Sequence, residues 1–169
     1  MLLIEPCCAP RHIAELRQRI TEEGTVFWHG HGDLSLNEIL PALTNRYANV
    51  EMTIVAPALP DAAIKAIENV MAKQWARADG KGMTDVISHL TIITNLQKKK
   101  SPKASAWLKE NPYGERLMLK NVQQNDTAII LPDIALIGPI NLTYGGHFTA
   151  VATRKAKTLE ALKIQLQKM

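Results

Sequence analysis

The chain has 169 residues, 46% of them hydrophobic, which is enough apolar material for the core of one ordinary domain. Twenty lysines and arginines stand against 16 aspartates and glutamates, so the formal net charge is +4 and the pI is near 9.1, a mild lean toward anionic partners. No apolar run is long enough to cross a bilayer, and Glu5 interrupts the apolar start at Met1 to Ile4 too soon for a signal peptide, so the expected location is the cytoplasm with no membrane contact.

The adjacent Cys7 and Cys8 would close a strained ring rather than staple distant segments, and no disulfide framework is expected. Helical spacing of Ile13, Leu16 and Ile20 predicts a helix from Pro10 to Glu23, stopped by Gly24. Thr25 to His29 reads as a short buried strand. Asp33 or Ser35 then offers an N-cap to a helix that buries Ile39, Leu40, Leu43 and Tyr47, with Pro41 expected near its first turns. The largely apolar run Val50 to Ala56 predicts a central strand covered on both faces.

Asp61 is expected to cap the next helix, whose stripe Ile64, Ile67, Val70 and Met71 carries on toward Trp75 and Arg77 until Ala78 to Gly82 ends it. His89 to Thr94 predicts a third strand, Lys103 to Glu110 a short helix, and Asn111-Pro-Tyr-Gly a turn. Leu117 to Val122 reads equally as strand or loop. Asp126 to Leu131 and Ile134 to Ile137, separated only by Pro132-Asp133, have the spacing of a hairpin. Phe148 to Thr153 predicts a further strand and Thr158 to Gln167 a closing helix with Leu159, Leu162 and Leu166 on one face. The fold class expected is α/β: a single domain with a mixed, mostly parallel sheet flanked by helices.

From Ile134 to Gly146 the chain reads Ile-Ala-Leu-Ile-Gly-Pro-Ile-Asn-Leu-Thr-Tyr-Gly-Gly, and here it resembles the second part of the motif region of the phospholipase D superfamily. That family carries His-x-Lys-x4-Asp on one hairpin strand, then a strand running into Gly-Ser-x-Asn-Leu-Thr. Gly138, Asn141, Leu142 and Thr143 match, whereas Pro139 replaces the usual serine or glycine. Counting back without a gap puts Gln124, Asp126 and Leu131 at the His, Lys and Asp positions; shortening the turn by two residues puts Asp126, Ala128 and Asp133 there. Neither alignment supplies the nucleophilic histidine or the charge-stabilising lysine, so the resemblance implies one phospholipase D-like half with a degenerate motif and no phosphodiesterase activity of this kind. Because family enzymes join two halves, it also implies a homodimer.

Other clusters extend the expectations. His29-Gly-His31-Gly-Asp33 follows a strand end, where α/β sheets place ligands, yet spacing fixes no third or fourth metal ligand, so ordinary loop histidines and no cofactor are expected. Lys98, Lys99, Lys100 and Lys103 precede Trp107, a combination that single-stranded nucleic-acid grooves use; the plainer alternative is a solvated loop with Trp107 on the buried face of the following helix. Arg154, Lys155 and Lys157 form a second basic stretch. Gly145-Gly146-His147 reads as a tight turn, and His147 with Asn141 is the candidate for a rebuilt catalytic site. The preferred function is a non-catalytic binding or scaffolding module for nucleic acid or another anionic ligand. The alternatives are a phosphodiesterase or nuclease with a rearranged site and a protein–protein interaction module.

Overall fold

The β-branched runs ending at Ala56 and Thr94 become adjacent inner strands, since such side chains pack well on a pleated surface. They belong to a computed structural model that describes residues 2–7, 25–30, 36–45, 47–96, 102–123, 125–138 and 148–169. In chain order the elements are β1 (Leu2–Cys7), β2 (Thr25–Gly30), α1 (Leu36–Thr44), β3 (Val50–Ala56), α2 (Asp61–Met71), β4 (Gln74–Ala76), β5 (Met83–Asp85) and β6 (Ile87–Thr94). There follow α3 (Pro102–Glu110), a 3-10 turn (Gly114–Arg116), β7 (Leu117–Asn121), β8 (Ala128–Ile130), β9 (Ala135–Ile137), β10 (Phe148–Thr153) and α4 (Ala156–Gln167).

Eight strands form one sheet in the order β1-β2-β10-β9-β8-β3-β6-β7. β1 is parallel to β2, and β3, β6 and β7 are mutually parallel; β10 and β8 run against their neighbours on both sides. Six strands therefore point one way and two the other, with three parallel and four antiparallel ladders, a mixed α/β sheet as expected from the sequence. β4 and β5 pair separately as a small antiparallel hairpin.

The two faces are covered unequally. On one, Met52, Ile54, Leu90, Ile92, Ile129 and Leu136 pack against the apolar stripes of α1, α2 and α3 in the main core. On the other, Val55, Ile93, Ala128, Ile130 and Ala135 lie under α4, which contributes buried Leu159 and half-buried Leu162 and Leu166. One twelve-residue helix is about 18 Å long, so among the described elements it shields only part of that face. Glu51 is consequently exposed and Thr53 half-buried, and only the C-terminal half of β3 is covered on both sides as the sequence implied.

Three local expectations are corrected. The helix from Asp61 ends at Met71; Trp75 lies in β4, and residues 78–82 turn a hairpin, with Gly80 and Gly82 at φ +67° and +135°, where a side chain would be strained. Pro60 rather than Asp61 is the N-cap, without a side-chain cap bond. Pro41 stands inside α1 and not in its first turn. Leu117 to Asn121 resolves as a strand, and the Asp126 to Ile137 segment is a hairpin. The predicted helix from Pro10 to Glu23 and the caps at Asp33 and Ser35 lie outside the described residues.

Candidate functional site

The motif hairpin sits in mid-sheet. Ala128, Ile129 and Ile130 face Ile137, Leu136 and Ala135, and the Leu131 N–H donates to the Ile134 carbonyl at 2.9 Å, closing the Pro132-Asp133 turn. At the open end the Gly138 N–H donates to the Thr127 carbonyl at 2.9 Å with φ +141°, a backbone that only glycine adopts readily. β8 runs against β3, so the hairpin spreads the motif positions across the whole strand length. Asp126 is exposed at the edge where the parallel strands end, Ala128 is buried beneath α4, and Asp133 is at the opposite edge. In the ungapped alignment Leu131 is buried in the main core, whereas Gln124 lies outside the described residues, as do Asn141 and His147.

Asp133 is held by two residues from distant parts of the chain. The Tyr47 hydroxyl donates to its Oδ1, and Arg154 Nη2 lies 3.8 Å from its Oδ2. Arg154, expected to meet a ligand, thus has an internal partner. Beside this cluster a cavity of about 390 Å³ is lined by Pro132, Asp133, Arg154, Leu159, Glu160 and Lys163.

A second opening lies on the half-covered face, below α4. Ladder register aligns Ile130, Thr53, Thr91 and Met118 in a row across four strands, with Glu51 opposite His89 in the next row. The first row and Glu51 floor a groove of about 670 Å³, walled by Leu166, Lys163 and Gln167 of α4. Lys120 donates to the Leu166 carbonyl at 3.3 Å, a favourable contact for a cation with the last turn of a helix. Pro132 and Lys163 join the groove to the smaller cavity. Asn49 joins it to a third opening of about 710 Å³ beside the β4–β5 hairpin, where Trp75 is 44% exposed. Cations and carboxylates alternate along this trough, and two of the pairs meet directly, Arg154 with Asp133 and Arg77 with Asp79 at 3.0 Å. Its character is balanced and partly apolar, not basic.

The two basic stretches fall only partly within the described residues. Lys98, Lys99 and Lys100 lie outside the described residues, between the end of β6 and the start of α3, and Lys103 is in the first turn of α3. Lys155 and Lys157 are exposed at the start of α4, next to the end of β10, and Thr153 of β10 pairs with Thr25 at the beginning of β2. The end of β6 and the start of α4 lie at opposite edges of the sheet, roughly 20 Å apart along the strands, the length of a six-residue strand. Trp107 is no stacking platform: it is 6% exposed and donates from Nε1 to Glu68 Oε1 at 3.2 Å. His29 is described as backbone only, paired with Thr149 and Pro6, and His31 lies outside the described residues. Among the described residues no three His, Cys, Asp or Glu side chains converge as metal ligands, and no helix is long and apolar enough to cross a membrane.

The sequence places Tyr47 only in the buried stripe of α1, which ends at Thr44, and singles out neither Lys120 nor Lys163. The one signal for the groove was the polar alternation of Glu51 and Thr53 inside an apolar strand, which marks a face left partly open.

No protein-family model and no curated protein matches this chain. Among solved structures it is similar to TrmBL2, described as an archaeal chromatin protein with a novel mode of DNA binding, at 14% identity and a TM-score of 0.49. The match covers 94% of this chain and 56% of that one, so the chain spans little more than half the length of that protein.

Proposed function

We propose that this chain is a non-catalytic, phospholipase D-like half-domain that binds an anionic ligand, nucleic acid in the first place. The observation that carries the reading is the content of the motif strand. Its positions hold exposed Asp126 and buried Ala128, and the aspartate at the far turn, Asp133, is engaged by Tyr47 and Arg154. None of these groups attacks phosphorus as a histidine does or neutralises phosphate as a lysine does, and chemistry of this type collapses without its nucleophile. Support for an anionic ligand comes from the net charge of +4 and from Lys98 to Lys100, which follow the C-terminal end of β6, the edge where open α/β sheets take ligands.

The test is fluorescence anisotropy with labelled single-stranded and duplex DNA over a series of salt concentrations, run beside hydrolysis of bis-p-nitrophenyl phosphate. Binding that weakens steadily with salt, with no nitrophenolate released, is expected. Hydrolysis that disappears in His147→Ala or on chelation would establish the phosphodiesterase reading instead. Absence of binding to either DNA at low salt would refute the nucleic-acid assignment.

A further inference from the structure

β7 closes the sheet on the side of β6, and among the described residues no strand lies beyond it. In a parallel ladder alternate residues turn both N–H and C=O to the same side. The Val122 N–H reaches the Thr94 carbonyl of β6 at 3.0 Å, so Met118 and Lys120 also turn their backbone groups to β6. Leu119 and Asn121 aim theirs outward, as does the Leu117 carbonyl, whereas the Leu117 N–H donates to the Gly114 carbonyl.

Folded proteins blunt such edges with proline, with bulges or with charged side chains on the exposed strand. β7 contains no proline, its register with β6 runs uninterrupted from Leu117 to Asn121, and its single lysine is drawn back to the Leu166 carbonyl. Beside that lysine, Met118 is 49% exposed on the half-covered face. Among the described residues the edge is straight, lacks these guards and carries one exposed methionine.

From this geometry we infer that β7 is a self-pairing edge through which two copies of the chain join their sheets, antiparallel about a twofold axis at Leu119. This register uses both backbone groups of Leu119, the Asn121 N–H and the Leu117 carbonyl in both copies, the Leu117 N–H being held by Gly114. It also sets Met118 of each copy opposite Lys120 of the other, so that no two like charges face one another. An axis at Lys120 would oppose two lysines, and an axis at Met118 would leave Asn121 beyond the paired segment. A second copy suits the edge better than an unrelated strand, because the segment complements its own reversed sequence in charge and, about Leu119, in hydrogen bonding. The inference does not depend on the anionic-ligand reading.

Sedimentation velocity on the full chain and two variants tests it, with circular dichroism confirming that each variant is folded. The wild type should sediment as a dimer. Met118→Lys, which sets lysine against Lys120 of the second copy, should sediment as a monomer, whereas Met118→Glu, which sets a carboxylate there, should remain dimeric. A wild type that stays monomeric at every concentration, or a folded Met118→Lys variant that keeps the dimer mass, would overturn the proposal. Loss of the dimer in both variants would overturn the Leu119-centred register.

Discussion

Arg116 and Tyr113 are two residues whose surroundings translate directly into measurements. Arg116 Nη2 donates to the Ile87 carbonyl at 2.8 Å and to the Met71 carbonyl at 3.2 Å, and lies 3.3 Å from Asp85 Oδ1. It thereby fastens the end of α2, the foot of the β4–β5 hairpin and the start of β6 with one guanidinium. Lysine has the charge without the planar fork, so Arg116→Lys should lower the unfolding free energy by about 1–2 kcal/mol, read from urea denaturation. Close by, the Tyr113 ring meets Trp107 edge-on, with centroids 6.0 Å apart. Burial first, and then the Glu68 carboxylate, push the Tyr113 hydroxyl above its ordinary value near 10, against a smaller opposing pull from Arg116. A phenol whose pKa is raised by folding holds its proton more tightly in the native state. Its contribution to stability is therefore complete below the unfolded value of about 10 and is lost as pH rises from there through the folded one. Urea midpoints should fall above about pH 10 in the wild type, and the fall should be shallower in Tyr113→Phe. Equal slopes in the two proteins would exclude this tyrosine as the cause.

Among the elements, α4 has the most exposed role, because it alone of the described helices covers its face of the sheet and Leu159 is its one fully buried side chain. Leu159→Ala should destabilise by about 2–3 kcal/mol, with α4 amides exchanging faster than those of α2. Uniform loss of protection across both helices would instead mean that the two cores unfold as one. The main elements were legible in the sequence because their periodicity coincides with their burial. Val50 to Ala56 alternates where its face is open and runs apolar where α4 lies over it, and Pro132-Asp133 marks the hairpin by turn chemistry. The β4–β5 hairpin was not legible. Each of its strands has three residues and β4 is wholly exposed, so there is no buried stripe to read, and Trp75 continues the helical spacing of α2 by coincidence. At the candidate site the motif positions could be numbered from sequence. The partners of Asp133 could not, since Tyr47 is 86 residues away and Arg154 reaches it only through the turn from β10 into α4.

At the scale of the whole molecule, the placement of charge matters more than its total. Reversing Lys98 and Lys99 to glutamate takes the net charge from +4 to 0, and reversing Lys155 and Lys157 does the same, because each substitution removes two units. If only the overall field attracted DNA, the two double variants would bind equally weakly. The end of β6, which Lys98 and Lys99 follow in sequence, and the start of α4, which carries Lys155 and Lys157, lie at opposite edges of the sheet roughly 20 Å apart by strand length, and the screening length is about 10 Å at 0.1 M salt, so each edge is electrostatically local. A ligand seated at the C-terminal edge should then feel one pair and not the other. Lys98→Glu with Lys99→Glu should abolish binding at moderate salt. Lys155→Glu with Lys157→Glu should leave affinity within about twofold and the salt slope unchanged, since neither lysine neutralises a phosphate there. The neutral variants Lys98→Gln and Lys99→Gln, combined, should lower the slope of log affinity against log salt by about two, one for each phosphate that no longer meets a lysine. The opposite ranking of the two edges would move the ligand to the side of Asp133 and Arg154, where the balanced trough is the surface available to receive it.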